Sequence, residues 1–214
     1  MTRYTIIKDG YPFIFTGLAA TILVGFLADP AFAGIPLILT IYFAYFFREP
    51  DRPLPDDPHV LYSPADGTVM AVEEFFDDEF LHEEAKKVTI FLSVFNVHTN
   101  RAPMKGYVKY LRYTCGGFEP AFKGVCAHHV NERMAIGLEN EQSRVLVVQI
   151  AGILARRIVS WTSLGKQLLQ GETYGMIKFG SSTELIVPRD VEILVKKGDK
   201  VKGGITIMGR QQVQ

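Results

Sequence analysis

Four residue types in this chain can handle bonds, protons or anions, and each sits close to a turn signal. The segment Tyr174-Gly175-Met176-Ile177-Lys178-Phe179-Gly180-Ser181-Ser182-Thr183-Glu184 places two hydroxyls directly after a glycine. A serine hydroxyl is a poor nucleophile at neutral pH unless a neighbouring base or a strained geometry helps it. Glycine tolerates unusual backbone angles, so a tight turn here can bring the Ser181 hydroxyl against the Gly180 carbonyl. Ser181 is preferred to Ser182 because it directly follows the glycine, although a Gly-Ser pair taken alone is an ordinary turn. Asp66 lies in Ser63-Pro64-Ala65-Asp66-Gly67, where by itself it reads as the cap of an Asp-Gly turn. His98 is a lone imidazole in a strand-like run, either a structural residue or a proton donor near neutral pH. Arg101 stands three residues further on. Its guanidinium suits bidentate binding of a phosphate or carboxylate, and it is no general base at neutral pH.

These residues must be held by the rest of a chain of 214 residues, long enough for one sizeable core and a small appendage. Lys+Arg and Asp+Glu balance at 23 each, giving a net charge of zero. That argues against a nucleic-acid partner, which calls for a basic patch. Cys115 and Cys126 are too few for a disulfide framework and lack metal-site spacing, so they read as buried or incidental thiols in a reducing compartment. No metal site is expected.

The hydrophobic residues are concentrated near the N-terminus. Tyr11 to Ala28 and Ala31 to Phe47 carry no charge, with Asp29 and Pro30 between them. Each run is near the lower limit of about 17 residues for a bilayer-spanning helix. Together they predict a helical membrane hairpin over residues 1–52, spanning the bilayer or dipping into one leaflet. The alternative is a pair of buried helices in a soluble core. Arg3 and Lys8 precede the hairpin and Arg48 and Arg52 follow it, so both ends belong on the cytoplasmic face of a cell membrane.

From about Pro53 to Gln214 the chain predicts a mainly β (α+β) fold, a compact antiparallel domain of short strands. Expected strands are Thr68 to Val72, Val88 to Ser93, Tyr107 to Arg112, Arg144 to Ile150, Glu184 to Val187, Glu192 to Val195 and Ile205 to Met208. Leu164 to Leu169 offers a weak helical turn. Glu73 to Glu84 reads as a solvated acidic excursion with its aromatics tucked down. Ser63 to Val69 and Val195 to Gly204 each resemble turns of barrel-sandwich domains. Met104-Lys105-Gly106 carries only half of the signature of a modifiable carrier lysine.

The ordered set of motifs is more specific. Phe46-Phe47-Arg48-Glu49-Pro50, Ser63-Pro64-Ala65-Asp66-Gly67, Phe91 to Pro103, Asn131-Glu132-Arg133, Gln149-Ile150-Ala151-Gly152 and the Gly180-Ser181-Ser182 segment resemble the short, membrane-anchored form of the phosphatidylserine decarboxylase family. The resemblance covers nearly the whole chain. It implies self-cleavage between Gly180 and Ser181, with Ser181 becoming a covalent pyruvoyl group, the site of Schiff-base formation with a serine lipid. It further implies that Asp66 promotes the self-cleavage and that His98 activates the substrate. Long and short chains, Met1 to Gly180 and 181 to Gln214, would associate as a heterodimer, with a higher oligomer also open. Longer members carry a second histidine where this chain has Arg101; either His98 performs both tasks, or Asp66 and backbone strain suffice, or His128 and His129 substitute. Phosphatidylserine is the leading substrate, giving phosphatidylethanolamine. Archaetidylserine is a rival with the same headgroup, and a non-enzymatic membrane-tethered barrel-sandwich module is the rival from another class.

Overall fold

The computed structural model describes residues 4–28, 30–117, 131–152, 157–178 and 181–211. The chain divides into two units, Met1–Asp51 and Arg52–Gln214.

In the first unit, α1 (Tyr11–Leu27) and α2 (Gly34–Phe46) form the expected helical hairpin. Pro12 sits in the first turn of α1, where a missing N–H costs nothing. The helices run antiparallel: Phe13 contacts Phe47 and Phe43, with ring centroids 5.2 and 5.4 Å apart. Further along, a Cβ on Gly17 would overlap the Thr40 hydroxyl, so glycine is what allows the close approach. Phe15, Ile22, Phe26 and Leu27 point outward and are exposed. A helix apolar on every side suits lipid. Lys8–Leu27, 20 residues of mean hydropathy 1.7, is long and apolar enough to cross a membrane, whereas Pro30–Phe46 is shorter. Strands β1 (Tyr4–Ile6) and β2 (Arg48–Pro50) pair antiparallel and tie the two ends of the hairpin together.

The second unit is built on a curled antiparallel sheet, so the mainly β expectation holds. Its eight strands are β4 (Gly67–Asp77), β5 (Glu83–Leu92), β7 (Gly106–Thr114), β8 (Arg133–Glu139), β9 (Arg144–Ala151), β11 (Gln167–Leu168), β13 (Ser181–Pro188) and β15 (Lys200–Val201). They lie in the order β11-β7-β8-β9-β13-β5-β4-β15. Two small sheets flank it. One is β10 (Arg157–Ser160), β12 (Thr173–Lys178) and β6 (Thr99–Arg101); the other is β14 (Glu192–Ile193), β16 (Ile207–Arg210) and β3 (Val60–Tyr62).

Both faces of the large sheet are covered. Val69, Val88, Ile90, Leu92, Val147, Leu185 and Val187 pack on one side with Leu61, Tyr174 and Met208. Ala85, Ala135, Leu146, Val148, Ile150 and Ile186 pack on the other beneath Leu81, Phe75 and Phe80. Strand β13, hydrogen-bonded between β5 and β9, is therefore buried from Ser181 through Val187.

Two expectations need correction. The acidic segment Glu73 to Glu84 is mostly the long β4–β5 hairpin, not an excursion, and Phe76 is exposed rather than tucked down. Leu164 to Leu169 holds a turn and strand β11 in place of a helical turn. Of the two readings given for the cysteines, Cys115 fits the incidental thiol, being free and exposed; Cys126 lies outside the described residues. The two barrel-sandwich-like patterns are hydrogen-bonded neighbours: Lys200 and Val201 pair with Thr68 and Gly67, and the Gly204 N–H donates to the Ser63 carbonyl at 2.8 Å. Gly198 and Gly204, at φ 96° and 68°, supply the left-handed turns between them.

Candidate active site

Ser181 is the first residue of β13 and lies opposite Leu92 of β5 and Ala151 of β9. It is fully buried, and its hydroxyl has no hydrogen-bond partner among the described residues. Strand alternation sends Ser182 to the opposite face, alongside Phe91 and Ile150. Ser181 and Thr183 thus share one face and Ser182 and Glu184 the other.

His98 reaches the Ser181 end of this sheet by a short path. After β5, the chain turns at Ser93–Asn96: the Asn96 N–H donates to the Ser93 carbonyl at 2.8 Å and Asn96 Oδ1 accepts the Ser93 N–H at 2.9 Å. The His98 imidazole is buried, with Nδ1 2.9 Å from the Asn96 carbonyl oxygen. A carbonyl only accepts, so the proton sits on Nδ1 in the neutral ring and Nε2 is the basic atom. The His98 carbonyl accepts the Ile177 N–H at 3.1 Å, extending the β6–β12 ladder by one residue. Ile177 packs with Ala151, and Ala151 is the cross-strand neighbour of Ser181. His98 and Ser181 are therefore brought to one corner of the second unit.

Two residues past His98, Asn100 joins three segments. Its amide nitrogen donates to Thr183 Oγ1 at 2.8 Å and lies 3.4 Å from the Pro64 carbonyl, while its Oδ1 accepts Gln149 Nε2 at 2.8 Å. Asn100, Thr183 and Gln149 are all fully buried.

Asp66 forms a tight pair. Its two carboxylate oxygens accept from Arg52 Nη1 at 2.6 Å and Nη2 at 2.8 Å, and Oδ1 also accepts the Gly203 N–H at 2.8 Å. Arg52 Nη1 donates to the Gly203 carbonyl as well. The neighbouring Gly67 has no room for a side chain, because a Cβ would overlap the Phe91 carbonyl oxygen. Phe91 separates Thr68 from Ser182 in the sheet, so the Asp66 loop opens two strands, about 10 Å, from β13.

Arg101 turns inward. It is 5% exposed, its Nη1 donates to the Gly171 carbonyl at 3.0 Å, and its stem lies against Gly204. Asn100 and Arg101 thus leave β6 on opposite faces. On β12, Tyr174 is fully buried, and burial pushes its phenol well above the ordinary range.

The sequence model of phosphatidylserine decarboxylase matches residues 39–209. The chain belongs to the phosphatidylserine decarboxylase family. It is 49% identical over 174 residues to a phosphatidylserine decarboxylase proenzyme of Carboxydothermus hydrogenoformans, covering 81% of each chain. To the proenzyme of Symbiobacterium thermophilum it is 42% identical over 211 residues, covering 98% of this chain and 97% of the relative.

Within this phosphatidylserine decarboxylase fold, each of the four sequence-derived side chains has its own surroundings. Ser181 and His98 share a corner; Asp66 is engaged by Arg52 and Gly203; Arg101 donates to the Gly171 carbonyl. Gly180, the other half of the expected cleavage site, lies outside the described residues, as do Asp29, His128 and His129. Sequence reasoning missed Arg52, Asn100, Gln149 and Thr183. Arg52 counted only as a flanking charge, and no local spacing links it to Asp66 or Gly203. Asn100, next to Arg101, carried no signal of its own.

Proposed function

We propose that this chain is a membrane-associated phosphatidylserine decarboxylase that forms its own pyruvoyl group by splitting between Gly180 and Ser181. The observation that carries the proposal is Ser181 itself: a buried hydroxyl without a partner among the described residues, at the head of a central strand, in the corner that holds His98. Burial of an unpartnered hydroxyl costs on the order of 1–3 kcal/mol, which fits a group kept for reaction rather than for packing.

The Ser181 oxygen attacks the Gly180 carbonyl, the C–N bond breaks, and the acyl group passes from nitrogen to oxygen as an ester. Loss of the Ser181 α-proton then expels the Gly180 carboxylate and leaves a dehydroalanine at position 181. Water adds to its imine tautomer and ammonia departs, leaving the pyruvoyl group. His98 Nε2 is suited to accept and return protons here, because the Asn96 carbonyl pins the other nitrogen as a donor. Asp66 promotes the step by holding its loop: Arg52 and Gly203 clamp the carboxylate, and the Pro64 carbonyl of the same loop accepts the Arg101 N–H at 2.9 Å.

Once formed, the pyruvoyl group supplies an electron sink that lets carbon dioxide leave a serine headgroup without a localised carbanion. The proton that replaces the carbon dioxide is assigned to His98 Nε2. The two products of the split would stay together, because β13 is hydrogen-bonded on both edges to the long chain and β15 and β16 pair with β4 and β3. The apolar Lys8–Leu27 helix supports an anchor, with the second unit on the cytoplasmic face where a lipid headgroup is within reach.

Intact-mass analysis of the purified full chain tests the reading. Wild type and Ser182→Ala should give two chains, the shorter beginning with a pyruvoyl group at 181, and both should release carbon dioxide from phosphatidylserine vesicles. Ser181→Ala should give one full-length, inactive chain. A wild-type chain that stays whole and inactive, or a Ser181→Ala chain that splits at the same bond, would sink it.

A further inference from the structure

Asn100 is neither a nucleophile nor a titrating group, yet it is buried where three segments of the site meet. We infer that Asn100 is a positioning residue for the self-cleavage: it sets where Ser181 stands relative to His98. This inference rests on the proposed splitting at Gly180–Ser181.

The geometry is a matter of strand period. Thr183 follows Ser181 by two residues on the same face of β13, about 6.7 Å further on, and Asn100 follows His98 by two, with His98 standing one residue before β6 and bonded to β12 through its carbonyl. The Asn100 Nδ2 to Thr183 Oγ1 bond at 2.8 Å therefore ties the two segments one pleat beyond the two reacting side chains. The same nitrogen lies 3.4 Å from the Pro64 carbonyl, which brings in the loop that carries Asp66. Gln149, opposite Thr183 on β9, donates to Asn100 Oδ1 at 2.8 Å and so orients the amide, sending its NH2 toward Thr183. Gly175, paired with Asn100 on β12, leaves the space: a Cβ there would stand 3.4 Å from Gln149 Nε2 and 2.5 Å from the Val159 carbonyl. An Asn100 amide held at both its nitrogen and its oxygen gives the segments one relative placement, and an intramolecular attack is steeply sensitive to small displacements.

The test follows chain splitting with time after cell-free synthesis of the full chain into phospholipid nanodiscs, read by intact mass. Thr183→Val keeps the shape and removes the acceptor; it should slow splitting on the order of tenfold or more. Thr183→Ser returns the hydroxyl and should restore the rate to within about threefold of wild type. Asn100→Ala should slow splitting at least as much as Thr183→Val. Val187→Ala, further along the same strand in the core, controls for stability: it should lower the melting temperature and leave the rate of the folded chain unchanged. Splitting at the wild-type rate in Thr183→Val, or equal slowing in Val187→Ala at matched melting temperature, overturns the positioning role while leaving the proposed function standing. A wild-type chain that never splits overturns both.

Discussion

Replacing Arg52 by Met should destabilise the second unit far more than loss of a surface ion pair would. The Arg52 and Asp66 side chains are 8% and 12% exposed, the contact is bidentate, and each partner also bonds Gly203. Methionine fills similar volume without charge, which leaves the Asp66 carboxylate with the Gly203 N–H as its remaining partner among the described residues. Removing one member of a buried pair costs about 3–5 kcal/mol; the retained Gly203 bond places Arg52→Met near the lower end, about 3 kcal/mol. Asp66→Asn combined with Arg52→Met removes both charges and keeps an acceptor for Gly203, so the double variant should lose only about 1 kcal/mol. Urea unfolding in detergent, in a Ser181→Ala background that keeps the chain whole, measures this through the single tryptophan, Trp161, which lies in the second unit. With a slope of about 2 kcal/mol/M, the Arg52→Met midpoint should fall by about 1.5 M and the double variant should recover most of it. A loss below about 1 kcal/mol, the range of exposed pairs, or a double variant no better than Arg52→Met alone, would refute the reasoning.

Tyr174→Phe should be as stable as wild type, or more stable by about 1 kcal/mol, because the buried hydroxyl has no partner among the described residues. The folded phenol is held above its ordinary value of 10.0. Above that pH the unfolded chain loses a proton that the folded chain keeps, so wild-type stability should fall by up to about 1.4 kcal/mol per pH unit relative to Tyr174→Phe. Parallel alkaline unfolding profiles for the two proteins would contradict this. Gly67→Ala forces a methyl into the Phe91 carbonyl, a backbone atom that cannot swing aside. It should cost about 2–3 kcal/mol, and a melting temperature equal to wild type would show that the loop has slack.

Much of the fold was legible because its signals are local. The uncharged runs 11–28 and 31–47 become α1 and α2, and the turn residues around Asp66 and Gly198 lead into strands. The Glu73 to Glu84 misreading shows where local signals fail. Its carboxylates suggested a solvated loop, yet Lys87 stands 3.3 Å from Glu73, Arg144 3.6 Å from Glu83 and Arg189 3.6 Å from Glu74. Two of those cations, Arg144 at the start of β9 and Arg189 in the turn after β13, come from distant parts of the chain, so this charge was out of view. Strand β13 has the opposite disguise: Ser-Ser-Thr-Glu looks like a polar turn, but pairing on both edges and cover on both faces bury it.

The site divides along the same line. By itself the sequence determined the reactive inventory: a serine after a glycine, a single imidazole at 98, a carboxylate in an Asp-Gly turn, and an apolar helix of membrane-crossing length. Those properties belong to residue types and to short spacings. Only the tertiary structure decided their partners: Asp66 to Arg52 and Gly203, Arg101 to Gly171, and Asn100 to Thr183 and Gln149. A hydrogen bond has a range of about 3 Å in space and no preferred separation along the chain, so partners 80 residues apart become neighbours only once the sheet has closed around them.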